Sequence, residues 1–209
     1  MSKKLMIFFL SVFAVTSAFG ADRCIAYKTK PLVRIERPDW VKKVGQPLKM
    51  MDLYHGNVVA TLVDEYDIIV NIDELPNNDG FCVGIKDINA IIGYSDFLVK
   101  VDMRHKLDTC SYKTVLAHEG EHINAYLSVI DDFQDDLKSS VYSAANSIMP
   151  IYVKKESDIG SAIDNLNSKL QMHPDLILVK QKISAAEELR NAKIDEENKQ
   201  YEELKKCNG

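Results

Sequence analysis

Residues 114–125 have the sequence TVLAHEGEHINA, which contains the pattern H-E-x-x-H at His118, Glu119 and His122. On a helix with 3.6 residues per turn, positions i and i+4 project from nearly the same face, so both imidazoles can reach one ion. Glu119 lies about 100° around the helix from His118, close enough to hold a water beside that ion. The spacing therefore predicts a metal-binding helix in which His118 and His122 hold zinc beside a carboxylate that can take a proton from the bound water.

Apolar residues recur around the motif at the spacing of one helical face. They are separated by four or three residues: Leu116, Gly120, Ile123, Leu127 and Ile130. This stripe lies roughly opposite the histidines, so we expect one face of the helix to pack and the other to face a cleft. Glycine costs about 1 kcal/mol relative to alanine inside a helix, and its place on the stripe predicts close approach of another element.

Residues 115–124 resemble the zincin metallopeptidases, in which this motif binds zinc through both histidines and the glutamate is the general base. The chain is most similar to small bacterial proteins classed as predicted secreted zinc-dependent proteases, which combine an export signal with the motif. The resemblance implies an exported metallopeptidase that hydrolyses peptide bonds with a zinc-activated water. His118 and His122 map to the zinc ligands and Glu119 to the base. Zincins usually carry an uncharged residue where this chain has Glu121.

Glu121 makes the motif a palindrome, because HEGEH also matches the inverted pattern H-x-x-E-H with Glu121 as the base. Each glutamate lies about 60° from one histidine and about 100° from the other, so spacing alone does not choose between them. We favour Glu119, because Val115, Leu116 and Ile123 fit the forward motif and Glu119 is nearer the packed side. Glu121 is otherwise a solvated carboxylate or a support for a ligand.

The motif leaves the third zinc ligand open, although catalytic zinc normally has three protein donors and a water. Ala125 and Ser128 stand where an extended zincin motif has glycine and histidine, and Tyr142 stands where another branch has glutamate. The remaining candidates are carboxylates and imidazoles elsewhere in the chain: Glu156, His173, the acidic run from Asp131, residues 195–197, and His105. The candidate oxyanion donors are His105, Tyr112, Tyr126 and Tyr142. His55, beside Gly56, is interpreted as a turn residue.

The chain begins with the features of an export signal. Lys3 and Lys4 precede an apolar run that ends in small residues, which predicts a signal peptide over residues 1–20 with cleavage after Gly20. The run is too short for a retained membrane span. We therefore expect a periplasmic or secreted protein with no stable membrane span after the signal is removed.

All four cysteines follow the signal, and an even number in an exported chain favours two disulfides. Four cysteines allow three pairings, of which we prefer Cys82 with Cys110 and Cys24 with Cys207. A four-cysteine zinc site is disfavoured, because the chain has no C-x-x-C pair. The net charge of −5 and the pI of about 5.6 provide no basic footprint for nucleic acid, so we do not expect a nucleic-acid partner. The resemblance to zincins implies a peptide or protein substrate.

The periodicities predict an α+β fold with a small, mainly antiparallel sheet in the N-terminal half, the long HExxH helix, and a C-terminal helical hairpin. The strand candidates are residues 32–36, 57–63, 66–72, 81–85 and 97–103, and residues 87–92 are either a short helix or another strand. A zincin-like domain then covers residues 21–150, with a helical extension over 151–209 packed on it. By resemblance, the strand at 97–103 offers a free edge to substrate, with an interior strand as the alternative.

From Ser111, interpreted as an N-cap, the helical period continues to Pro150, and we expect a break near Asp131 and Asp132. Further helices are predicted over residues 157–171 and 174–206. The long C-terminal helices support a second hypothesis. In it the protein is a non-enzymatic periplasmic interaction protein that self-associates through helices, and its metal site is structural or vestigial.

Overall fold

The computed structural model describes residues 23–45, 55–196 and 199–207. The predicted signal peptide over residues 1–20 and its cleavage site after Gly20 lie outside these residues. Glu197, within the range of candidate third ligands, also lies outside them. Among the described residues, no helix is both long enough and apolar enough to cross a bilayer.

The fold class is α+β, as the sequence predicts. The strands precede most of the helices: β1 is Leu32–Glu36, β2 is Val41–Val44, β3 is Gly56–Glu74, β4 is Phe81–Val101, and the later β5 is Ile151–Val153. The helices are α1 at Cys110–Asp132, α2 at Gln134–Ser147, α3 at Ile159–Gln171, α4 at Pro174–Glu196 and α5 at Lys199–Lys206. Short 3-10 turns lie at Ile25–Tyr27, Pro76–Asn78 and Glu156–Asp158.

The sheet is mixed and is built around β4. Strand β3 runs antiparallel along the whole of β4, whereas β1 and β2 pair parallel and β5 antiparallel with successive parts of it. Because β3 already occupies one side of β4 at those positions, the other three strands share the opposite side. The predicted substrate-binding edge at residues 97–103 is therefore wrong: β2 pairs with Asp96–Val99 while β3 pairs with the same stretch from across the sheet.

The strand candidates merge into two long strands. Residues 57–63 and 66–72 both lie in β3, and residues 81–85, 87–92 and most of 97–103 lie in β4. Register shifts at Thr61/Leu62 and Ile69/Val70 interrupt the pairing of β3 with β4. A bulge changes which side chains face the core, so the alternation restarts and one strand is read from sequence as several.

The helical predictions are confirmed in outline, with small shifts at their limits. The single helix predicted over residues 174–206 corresponds to two helices, α4 and α5, and residues 197–198 between them lie outside the described residues. The expected break falls at Phe133, between α1 and α2, and α4 begins at Pro174. The N-cap of α1 is Thr109 rather than Ser111, because the Thr109 hydroxyl accepts a hydrogen bond from the backbone N–H of Tyr112. Residues 156–158 form a 3-10 turn before α3, so that helix begins at Ile159.

One hydrophobic core joins the sheet to helices α1–α4. Its largest fully buried side chains come from β4 and from all four of these helices. They include Ile88, Phe97, Leu137, Leu166, Leu170 and Leu176. The prediction that Gly120 lies against a neighbouring element is wrong, because a Cβ added there would meet nothing within 4 Å. The buried side of α1 is instead formed by Val115, Glu119, Ile123 and Ile130.

The disulfides are Cys24–Cys82 and Cys110–Cys207, so the preferred pairing is wrong. Cys82 is the second residue of β4 and Cys110 begins α1 beyond the other end of that strand. A strand of 21 residues rising about 3.3 Å per residue separates them by on the order of 60 Å, whereas bridged Cα atoms lie about 4–7 Å apart. Two disulfides are typical of proteins outside the cytoplasm.

Candidate metal centre

Three side chains of types that can bind a metal converge where α1 packs against α4. The Nε2 atoms of His118 and His122 are 3.3 Å apart, and Asp195 Oδ1 lies 3.4 Å from the first and 3.2 Å from the second. Among the described residues, these three form a group able to hold a metal ion. Asp195 lies within residues 195–197, one of the candidate regions for the third ligand.

The packing of α1 against α4 produces this convergence. His118, His122 and Tyr126 are spaced four residues apart on α1, and Asp195, Asn191 and Glu187 have the same spacing on α4. The two stripes meet in antiparallel order, since His118 faces Asp195 whereas Tyr126 lies near Glu187. Helix α4 therefore covers the histidine face, and the two imidazole side chains are only 11% and 12% exposed. The Asp195 side chain remains 65% exposed.

The spacing of the three donor atoms fits a small tetrahedral ion. Zinc binds histidine nitrogen and carboxylate oxygen at about 2.0–2.1 Å, and two ligands of a regular tetrahedron at that distance are about 3.3 Å apart. The three observed separations of 3.2, 3.3 and 3.4 Å agree with this value. Two nitrogens and one carboxylate oxygen also suit zinc better than calcium or magnesium, which prefer all-oxygen sites.

Burial favours the neutral form of the His118 imidazole. The pKa of His118 is lowered first by burial and then by the neighbouring His122, while Asp195 and Glu121 oppose the shift. A neutral imidazole offers a nitrogen lone pair to a metal without first losing a proton.

The His122 imidazole has a hydrogen-bond partner, Asn191, that is not one of the three candidate metal ligands. The Nδ1 atom of His122 lies 2.7 Å from Asn191 Oδ1, and the Asn191 amide donates a hydrogen bond to the carbonyl of Glu187 over 2.9 Å. Asn191 is 69 residues from His122 in sequence and did not emerge from the sequence analysis. The sequence does contain a signal that could have identified Asn191. Polar side chains continue the helical stripe of buried Ile183 at intervals of four residues, at Glu187, Asn191 and Asp195.

Glu119 is buried beside this group, with 3% of its surface exposed, whereas Glu121 is exposed. The expectation that Glu119 is nearer the packed side is confirmed. Burial, followed by the charge of Asp195, raises the pKa of Glu119 to about 7. An acid with a pKa near neutrality is suited to exchanging protons.

Gly56, the first residue of β3, leaves the space that the Glu119 carboxylate fills. A Cβ added at Gly56 would lie 2.7 Å from Val115 Cγ1, 2.8 Å from Glu119 Cδ, and nearer still to Glu119 Oε1. Glycine, which has no Cβ, avoids this clash. From the sequence, Gly56 is interpreted only as the neighbour of a turn residue, whereas in the structure it packs directly against the Glu119 carboxylate.

Gly56→Ala is expected to destabilise the protein by about 1–3 kcal/mol, because the new methyl must displace the Glu119 carboxylate or Val115. Gly120→Ala, two residues from His118 on the same helix, is expected to stabilise it by about 1 kcal/mol, since the added methyl meets nothing. Chemical unfolding of both variants and the wild type measures the two changes. Destabilisation of similar size in both variants would contradict the close packing of Gly56 on Glu119.

Searches against protein-family models, curated proteins and solved structures found no match to this chain.

The three other histidines have partners of their own. His105 Nε2 lies 3.0 Å from His55 Nδ1, and both residues are tied to Asp102 by backbone hydrogen bonds. Burial lowers the pKa of both imidazoles. His173 Nε2 contacts the Ser147 hydroxyl, while its Nδ1 accepts from the backbone N–H of Asp175 at the start of α4. His173 therefore caps a helix, and neither His105 nor His173 belongs to the metal group.

The remaining candidate ligands lie elsewhere on the surface. Glu156 is exposed in the turn before α3, Asp131 pairs with Arg37, and Asp132 pairs with Arg190. Of the tyrosines proposed as oxyanion donors, Tyr142 lines a surface groove with Pro31, Tyr112 packs on the core, and Tyr126 packs on Tyr94. Tyr126 follows His122 by one helical turn and therefore lies on the same face of α1 as His118 and His122.

Proposed function

We propose that this protein is an exported zinc-dependent metallopeptidase with His118, His122 and Asp195 as metal ligands and Glu119 as general base. One observation carries the proposal: three donor atoms from two helices form a triangle with edges of 3.2–3.4 Å, the spacing that zinc requires. Zinc bound there would polarise a carbonyl and lower the pKa of a water to near 7.

The chain's own residues then have defined tasks. Glu119 is poised to accept a proton from the attacking water and to return it to the leaving nitrogen, because its raised pKa makes both transfers accessible near neutrality. Its position against Gly56 restricts where the carboxylate can move. Glu121 is exposed and has no comparable confinement, which favours the forward motif over the inverted one.

A purely structural metal is less well supported. Structural zinc sites are normally closed by four protein ligands, whereas the described residues supply three. Three protein donors leave one position of a tetrahedron for solvent or substrate. The 65% exposure of the Asp195 side chain indicates that this part of the site can be reached from outside.

The mature protein, with both disulfides intact, is expected to bind one zinc ion per chain. His118→Ala, His122→Ala and Asp195→Ala should each weaken zinc binding about 100-fold or more, because each removes one of three ligands. Elemental analysis gives the stoichiometry, and titration against a competing chelator gives the affinity. Glu196→Ala is the matched control, since it removes an exposed acid beside Asp195. Absence of stoichiometric zinc from the wild type would contradict the proposal.

A further inference from the structure

We infer that Asn191 is a positioning residue of the metal centre, holding His122 in the tautomer whose Nε2 faces His118 and Asp195. The inference rests on the proposed metal site and adds the residue that orients one of its ligands. Asn191 is on α4, one turn before Asp195, so the same helix supplies both a ligand and the support of another ligand.

Hydrogen bonding fixes which atom of each group donates. The Asn191 amide nitrogen donates to the Glu187 carbonyl over 2.9 Å, which leaves the amide oxygen to face His122 Nδ1 at 2.7 Å. A carbonyl oxygen can only accept a hydrogen bond, so Nδ1 of His122 must carry the proton. A neutral imidazole has one N–H, and its Nε2 lone pair is then directed at the other two donors.

The turn of α4 that carries Asn191 is itself anchored to the sheet. The hydroxyl of Tyr94, on β4, donates to Glu187 Oε1 over 2.5 Å, and Tyr94 is 6% exposed. Glu187 therefore contacts the sheet through its carboxylate and Asn191 through its carbonyl. A series of hydrogen bonds therefore runs from Tyr94 through Glu187 and Asn191 to His122, and it links α4 to both the sheet and α1.

The expected consequence is a preorganised ligand. Without an acceptor at Nδ1, the His122 ring can populate both tautomers and other ring orientations, and only part of the population then presents Nε2 to the metal. Outer partners of metal-bound histidines typically contribute 10- to 100-fold to metal affinity for this reason. A hydrogen bond that served helix packing alone would change stability without changing the tautomer.

The test uses full-length mature protein with both disulfides intact and three variants. Asn191→Leu keeps the size of the side chain and removes the acceptor, Asn191→Asp keeps an acceptor, and Asn146→Leu is the control at an exposed position of α2. Nitrogen-15 NMR of the metal-free proteins reports the protonated nitrogen of His122. Competition with a chelator reports the zinc affinity, and thermal unfolding shows that each variant is folded.

The wild type and Asn191→Asp should carry the His122 proton on Nδ1, and Asn191→Leu should show a mixture or the other tautomer. Zinc affinity should fall about 10- to 100-fold in Asn191→Leu and change little in Asn191→Asp and in the control. An unchanged tautomer and affinity in Asn191→Leu would overturn the inference while the metal site stands. A wild type that fails to bind zinc would instead overturn the proposed function, and the metal-free NMR would still decide the role of Asn191.

Discussion

Replacing Glu119 with glutamine is expected to slow peptide hydrolysis about 100- to 10,000-fold, the usual contribution of a general base. Glutamine fills the same space against Gly56 but cannot take up a proton, so zinc affinity should stay close to that of the wild type. The measurement is cleavage of a complex peptide mixture by the zinc-loaded proteins, followed by mass spectrometry, alongside the chelator titration.

Glu121→Gln is the matched control, because it makes the same chemical change two residues away on an exposed side chain. Its hydrolysis rate should equal that of the wild type. Loss of cleavage in Glu121→Gln alone would assign the base to the inverted motif. Equal activity of Glu119→Gln and wild type would remove Glu119 from the chemistry altogether.

Glu119→Gln is also expected to change how the free energy of unfolding of the metal-free protein depends on pH. The pKa of Glu119 is about 7 in the folded state, against an ordinary value of 4.5. Below pH 4.5 the carboxyl is protonated in both states and has no effect on stability. Between pH 4.5 and 7 the unfolded chain ionises first, so the free energy of unfolding falls as the pH rises.

Above pH 7 this penalty is complete and amounts to on the order of 3 kcal/mol. Glu119→Gln removes the ionisation, so the variant should be more stable than the wild type at pH 8 and nearly equal to it at pH 4. Urea unfolding of chelator-treated protein at the two pH values measures the difference. A variant that is less stable at pH 8 would show that the ionised carboxylate has a stabilising partner.

The order of elements could be read from the sequence because it depends on local signals. Hydrophobic period, the acidic break before Phe133 and the proline at position 174 each act within a few residues, and the corresponding helix limits are confirmed. The lengths of β3 and β4 could not be read, because bulges reset the alternation on which strand limits depend. The position of β4 inside the sheet depends on strands from distant parts of the chain.

The residues of the candidate site likewise fall into those that local sequence predicts and those that depend on how distant elements pack. The two histidines and Glu119 lie on a single turn, so their common location followed from helix geometry. Asp195 could be named only as one region among several, because its approach to His118 depends on how α4 packs on α1. Asn191 was missed for the same reason, and Gly56 reaches Glu119 only through the fold of the sheet.

The Cys110–Cys207 disulfide ties the segment that follows Asp195 to the first residue of α1. Cys110 is exposed, and Cys207 lies directly after α5, near Thr114 of α1. Replacing both cysteines with serine opens a loop of 97 residues and is expected to cost about 2–5 kcal/mol. Because Asp195 lies near the end of α4, release of that end should also weaken zinc binding about 10-fold or more.

The Cys24–Cys82 disulfide supplies the control, since it closes a loop of 58 residues at the opposite end of β4 from Gly56 and Glu119. Cys24→Ser with Cys82→Ser should destabilise the protein by a similar amount. Its zinc affinity, measured at a temperature where both double variants remain folded, should match the wild type. A fall in zinc affinity of equal size in both double variants would mean that the metal centre responds to overall stability rather than to the tether beside Asp195. An unchanged affinity in the Cys110 and Cys207 variant would mean that packing between α1 and α4 alone holds Asp195 in place.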